Sequence, residues 1–233
     1  MSYNKLIDFV EQEYIDNFIQ GCLIPAPTDN SMPLMASLSR NFLQSSTSAL
    51  RAICVLGKLE FGDEPLILAR TIFEYSVHLA YINAGGDARA KAFVGKGYEE
   101  QKRRRSELSE FKNQGKCHEV VEAIDAAISQ ENFPDVTKDW EALPSLQNMA
   151  KELGEPYECD WYFIYWSLSK AAHPNDINTI PRNPADDAKR ALLIGFNYHY
   201  RIAQKVCENL EHELNAKAQE FLRLVNDEGQ EIW

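Results

Sequence analysis

Residues 63–83 read DEPLILARTIFEYSVHLAYIN, and this stretch decides the fold. Leu66, Ile67, Leu68, Ala69, Ile72, Phe73, Tyr75, Val77, Leu79, Ala80, Tyr81 and Ile82 make a helix of this sequence apolar on nearly every side. A rod of that kind belongs at the centre of a bundle, with other helices around it. Asp63 and Pro65 suit its start, and Gly85-Gly86 interrupts it. Three residues break the pattern. Arg70, Glu74 and His78 follow one another at four-residue steps, which places them in one polar line along the rod. A charge withdrawn from water needs a partner or a wet cavity. The line is therefore either an internal Arg70–Glu74 pair that sets helix packing or one wall of a polar cleft.

Helical periodicity continues on both sides of this rod. Leu6, Phe9, Val10, Tyr14 and Phe18 form one apolar face of a first helix that Gly21 ends, with Pro25 and Pro27 marking the loop beyond. Asn30 or Ser31 caps a second helix, with Pro33 in its first turn, that runs to about Leu59 and stops near Phe61-Gly62. Beyond the glycine pair, Asp87 starts a helix reaching about Asn113, and a shorter one covers Cys117 to Ile128. Residues 130–144 are polar and proline-marked, a connection. A helix from Ser145 to Leu153 ends at Gly154-Glu155-Pro156. The next, Cys159 to Ala172, is dense in aromatics and is stopped by Pro174, since the residue before proline is pushed out of the helical region. A last helix extends from about Ala185 to Ala216. No strand alternation or repeat is present. The fold class is all-α, a helical bundle forming a single domain: an N-terminal helix and loop over 1–30, the bundle over 31–216, and an acidic C-terminal extension over 217–233.

Composition narrows the function classes. With 24 Lys plus Arg against 35 Asp plus Glu, the 233-residue chain carries a formal charge of −11, the wrong sign for a dedicated duplex-DNA binder. Five widely spaced cysteines with no C-x-x-C pair read as buried free thiols of a reducing compartment. Asp8, Glu11, Glu13 and Asp16 interrupt the N-terminal apolar pattern, so no signal peptide is expected. No apolar run is long enough to span a bilayer. A cytoplasmic protein without membrane association, metal or other cofactor is expected. The aromatic-rich helix and the acidic C-terminal stretch hold surplus apolar surface, which predicts a homodimer.

A second polar line runs along the aromatic helix. Tyr165, Ser169 and His173 recur at four-residue steps, and His173 falls near the helix C-terminus, where exposed carbonyls favour the imidazolium. Ser169 and His173 lack an orienting third group, so serine hydrolysis has little support. Lys102-Arg103-Arg104-Arg105 is a compact basic run among Glu99, Glu100, Glu107 and Glu110, which makes a paired, solvated face its default role. Glu74–His78 and Glu208–His212 lack the Glu-x-x-His spacing of carboxylate-bridged metal bundles.

The Arg70-Thr71-Ile72-Phe73-Glu74 segment, followed by Ser169-Lys170-Ala171-Ala172-His173-Pro174, resembles a prokaryotic all-helical family without an assigned function. That family is compared with HEPN domains, helical modules common in toxin–antitoxin and phage-defence systems. The resemblance spans roughly 31 to 204. It implies a HEPN-like bundle in which Arg70, Glu74, Ser169 and His173 converge. It also implies an effector acting on RNA or a nucleotide without a metal, alongside a cognate protein partner. In that scheme His173 is the acid–base group, Arg70 stabilises phosphate charge and Glu74 orients one of them. Tyr165, Ser169 and His78 line the site, and Arg103 and Arg104 help hold a substrate backbone. The chain departs from the short Arg-to-His spacing of HEPN ribonucleases, since seven residues separate Arg70 from His78 and eight separate Arg190 from His199. The alternative is a non-catalytic interaction or ligand-sensing module that uses the same polar line for recognition or packing.

Overall fold

A computed structural model describes residues 3–23, 33–113, 143–165 and 183–208, with 119, 122 and 168 singly, and no strand occurs among them. The chain divides into two compact units, Met1–Ala84 with Ser145–Trp233, and Gly85–Pro144. The expected boundaries after residues 30 and 216 both lie outside the described residues. In the first unit α1 (Tyr3–Asp8) continues as a π-type helix, Phe9–Leu23, and α2 (Leu34–Lys58) follows. Next comes α3 (Asp63–Asn113), which crosses from the first unit into the second. The chain returns with α4 (Leu146–Leu153), then α5 (Tyr157–Asp160) running into a π-type turn, Trp161–Tyr165, and finally α6 (Pro184–Glu208). Among the described residues no helix is long and apolar enough to cross a membrane.

Most boundaries have local causes. Within α3, Gly86 takes φ 62° and ψ −147° at the border of the two units; glycine enters that region at little cost, which is why the interruption falls there. Ser145 caps α4 by accepting from the Asn148 amide at 3.3 Å, and Gly154 ends it at φ 68°. The end of α2 differs from the sequence expectation. Glu60, not a glycine, takes the left-handed position at φ 60°. The Phe61 amide reaches the Leu56 carbonyl and the Glu60 amide reaches that of Gly57, the bond pattern that closes a helix end. The start of α2 differs too. Pro33 is its flanking residue with no side-chain cap, and Asn30 and Ser31 lie outside the described residues.

The core of the first unit is α2 against α6, with the N-terminal helix packed on both. Gly195 of α6 admits the closest approach. A Cβ there would stand 2.9 Å from Ile53 Cδ1 of α2 and 3.4 Å from Ile72 Cδ1 of α3. The N-terminal helix buries Leu6, Val10, Tyr14 and Phe18, and beside them Ile7, Ile15 and Ile19. A strict four-residue recurrence rotates by about 40° per step on a 3.6-residue helix. The wider π-type winding turns that drift the other way, so a recurrence of four lies between the two periods and the apolar stripe stays on its neighbours. In α3, Leu66, Ala69, Ile72, Phe73, Val77 and Leu79 to Ile82 are buried, while Ile67 is exposed and Leu68 and Tyr75 are half-buried, so the apolar rod is enclosed on most of its sides and not all round. Cys54 and Cys207 are buried, and burial pushes both thiols up to about 12. Cys159 is exposed, contrary to a uniform set of buried thiols, and its Sγ donates to Glu155 at 2.8 Å.

Candidate functional site

The polar line on α3 meets the aromatic segment of residues 157–165. Arg70 Nε donates to Glu74 Oε1 at 2.9 Å, and Arg70 Nη2 donates to the Tyr165 hydroxyl at 2.6 Å. The guanidinium carbon lies 4.6 Å from the centre of the Tyr165 ring. That ring stacks on Trp161 at 3.9 Å and leans on Phe73 at 5.9 Å. The side chains of Arg70 and Glu74 keep 23% and 31% of their accessible surface, so the pair sits between core and solvent. An ion pair in that setting contributes little net stability. Nη1 of Arg70 has no hydrogen-bond partner among the described residues. The group therefore holds a guanidinium in a defined orientation by two bonds and a ring face while leaving donors unspent, an arrangement suited to a carboxylate or a phosphate.

His78 lies one turn further along α3. Its Nδ1 donates to the Glu74 carbonyl at 2.8 Å, and its ring lies parallel to Phe42 of α2 at 6.4 Å. Arg103 sits on the second stretch of α3, in the Gly85–Pro144 unit, where it is exposed and bonded to Glu100 at 2.7 Å and Glu107 at 3.3 Å. The hydrogen bonds it donates to Glu100, then the charges of Glu100 and Glu107, raise its pKa. This is the paired, solvated face that the neighbouring glutamates predict. Arg104 shares that helix, with its side chain outside the described part, and Ser169 and His173 lie outside the described residues. Of the expected set, Arg70, Glu74 and Tyr165 are thus brought into direct contact.

A second group was not anticipated. In the same aromatic segment, Asp160 Oδ2 accepts from the Tyr198 hydroxyl at 2.5 Å and faces Arg201 Nη1 at 3.6 Å. The Arg201 guanidinium lies 5.0 Å from the Tyr198 ring centre and 5.5 Å from that of Tyr157. The Tyr157 hydroxyl is 3.2 Å from Ser76 Oγ of α3. Burial, then the hydrogen bond to Asp160, raises the Tyr198 pKa. Phe73, in edge contact with Tyr198 at 4.8 Å, ties this group to Tyr165.

A third polar group is wholly enclosed. The Thr47 hydroxyl donates to the Leu43 carbonyl at 2.6 Å, so toward His199 Nε2, 2.9 Å away, it accepts. Nε2 then carries the proton and Nδ1 accepts from the Tyr14 hydroxyl at 3.0 Å. The chain Tyr14, His199, Thr47, Leu43 runs in one direction with every group satisfied. His199 has no exposed surface, and burial lowers its pKa to about 3, so the ring is neutral. Among the described residues no group of three His, Cys, Asp or Glu is placed to hold a metal ion.

The family described as "Family of unknown function (DUF5677)" matches residues 37–189, more than half of the chain. The match covers Arg70, Glu74, Asp160 and Tyr165, while Tyr14, Tyr198, His199 and Arg201 lie outside it. No curated protein and no solved structure matches the chain.

Proposed function

We propose, for a chain that belongs to the DUF5677 family of unknown function, that it is a HEPN-like effector acting on RNA or a nucleotide. In this reading Arg70 is the group that meets a phosphate, Glu74 and Tyr165 aim it, and His173 supplies acid–base chemistry. The observation that carries the reading is the Arg70 guanidinium. It is oriented by Glu74 and by Tyr165, it is partly exposed, and it retains a terminal nitrogen without a partner among the described residues. That nitrogen stands where water, or an anion that displaces the water, can take it. Pre-oriented donors in a partly dried setting are what developing phosphate charge needs. Setting in the cytoplasm, homodimer formation and a cognate protein partner belong to the same reading.

The competing reading, a non-catalytic interaction or ligand-sensing module, draws on the same group, because Glu74 already neutralises Arg70 within one helix. Both are tested by pairing a melting curve with growth inhibition and total-RNA integrity on expression of wild type, Glu74→Gln and His173→Ala. The effector reading expects both variants to melt near the wild type and to lose growth inhibition and RNA damage. Full activity in folded His173→Ala would remove the acid–base role. Loss of fold in Glu74→Gln would return the cluster to packing.

A further inference from the structure

Residues 157–165 are attached to their neighbouring helices at three places. The Tyr157 hydroxyl lies 3.2 Å from Ser76 Oγ of α3, and the Tyr165 hydroxyl accepts from Arg70 Nη2 of α3 at 2.6 Å. Between them, Asp160 accepts from the Tyr198 hydroxyl of α6 at 2.5 Å. Arg201 Nη1 stands 3.6 Å from the same carboxylate oxygen and makes no hydrogen bond among the described residues, so it adds attraction without direction. The π-type turn shows how Asp160 bears on Tyr165. On an α-helix, residues five apart point about 140° away from one another. The wider winding over Trp161–Tyr165, with its i to i+5 pattern, turns them toward one side. Asp160 is thereby directed to Tyr198 while Tyr165 is directed to Arg70. The Phe73 ring couples the two, with its centre 4.8 Å from that of Tyr198 and 5.9 Å from that of Tyr165.

We propose that Asp160 is the positioning residue of the Arg70 group: it holds the π-type turn on α6 and so sets Tyr165 at the guanidinium. The proposal rests on Arg70 as the group that meets a phosphate, and it concerns how that group is held. Glu74 fixes the guanidinium by one bond, at Nε. The Tyr165 hydroxyl and ring face add a second bond and a stacking plane, and these decide where Nη1 points. Asp160 acts through Tyr165, five residues on, and not on Arg70 itself. An α-helical segment would aim one of the two away from this side, which gives the π-type turn a purpose at the site.

The test follows hydrogen exchange of the Arg70 Nε–Hε resonance by nitrogen-15 nuclear magnetic resonance and titrates the same proteins with uridine monophosphate; Arg70→Lys identifies the resonance. Asp160→Ala is expected to speed the exchange about tenfold and to weaken uridine monophosphate about tenfold. Asp160→Asn keeps an oxygen for the Tyr198 hydroxyl and is expected to return both to within about threefold of the wild type. Tyr14→Phe lowers stability at the enclosed chain around His199 and is expected to change neither. Wild-type exchange and affinity in folded Asp160→Ala overturn the proposal, as does equal loosening of Arg70 in Tyr14→Phe. If the wild type does not bind uridine monophosphate, the phosphate reading of Arg70 falls, while faster exchange confined to Asp160→Ala still supports the positioning role. If Asp160→Ala does not fold, Tyr198→Phe decides, since it keeps the ring on Phe73 and removes only the hydroxyl. Faster Arg70 exchange in that variant supports the proposal, and wild-type exchange overturns it.

Discussion

The Tyr14–His199–Thr47 chain and the Arg70–Glu74–Tyr165 group are both polar insertions on largely apolar helices, and they dispose of their donors in opposite ways. In the first, a neutral ring with no exposed surface has each nitrogen engaged, and the last hydroxyl closes on a backbone carbonyl. Nothing is left for a ligand, and nothing reaches solvent. In the second, two charges stay partly wet and a guanidinium nitrogen has no partner among the described residues. Complete satisfaction suits a device that fixes how helices pack, whereas a partly exposed charge keeps donors that water or, in the proposed reading, a phosphate can take.

The largest effect that would break this contrast concerns the enclosed chain. His199→Ala removes a fully buried ring joining the N-terminal helix, α2 and α6, and is expected to cost about 3–5 kcal/mol in chemical denaturation. A loss below about 1 kcal/mol would show that the ring is no structural joint. Tyr14→Phe leaves Nδ1 of His199 buried without a donor and should cost about 1–3 kcal/mol by the same measurement.

The pH dependence follows from the same ring. His199 titrates near 3 when folded, below the ordinary histidine value of 6.5. As pH falls the unfolded chain therefore takes up the proton first. Stability from this group is constant above about 6.5 and is lost below it, at about 1.4 kcal/mol per pH unit. Denaturation curves between pH 6.5 and 5 should carry that slope in the wild type and lack it in His199→Gln. Equal slopes would mean that the ring is not held neutral.

On the other side of the comparison the expected effects on stability are small. Glu74→Gln removes half of a partly exposed pair while Tyr165 still engages Arg70, so a loss of about 1 kcal/mol or less is expected. A loss of several kcal/mol would make the two regions alike. Smallest of all, Arg103→Ala on the exposed face should leave the melting temperature unmoved, since its charge is answered by Glu100 and Glu107.

What the sequence discloses depends on how local the cause is. The rod at 63–83, the Gly86 interruption, the helix start at Ser145 and the Arg70–Glu74 pair follow from spacings of a few residues, and the structure holds each of them. Tyr165 was legible as part of a polar line, though its contact with Arg70 spans 95 positions. The enclosed chain was not legible. Tyr14 and Thr47 contact His199 across 185 and 152 positions, and each alone reads as an ordinary member of an amphipathic face. Asp160, Tyr198 and Arg201 were missed for the same reason. Asp160 gains its meaning only when α6 brings Tyr198 and Arg201 to it. One signal was available: Tyr198 and Arg201 stand three apart on one helix face, next to the His199 that interrupts a buried stripe. The left-handed Glu60 was hidden because residue type argues for glycine at such a position, and here backbone hydrogen bonds at the helix end override it.

The central claim, that the open nitrogen of Arg70 is there for a phosphate, is tested most directly by titrating uridine monophosphate with protein and following its phosphorus-31 resonance, for wild type and for Arg70→Gln of matched melting temperature. The account predicts a saturable shift with the wild type and none with Arg70→Gln. An equal shift with both proteins, or no shift with the wild type, would contradict it.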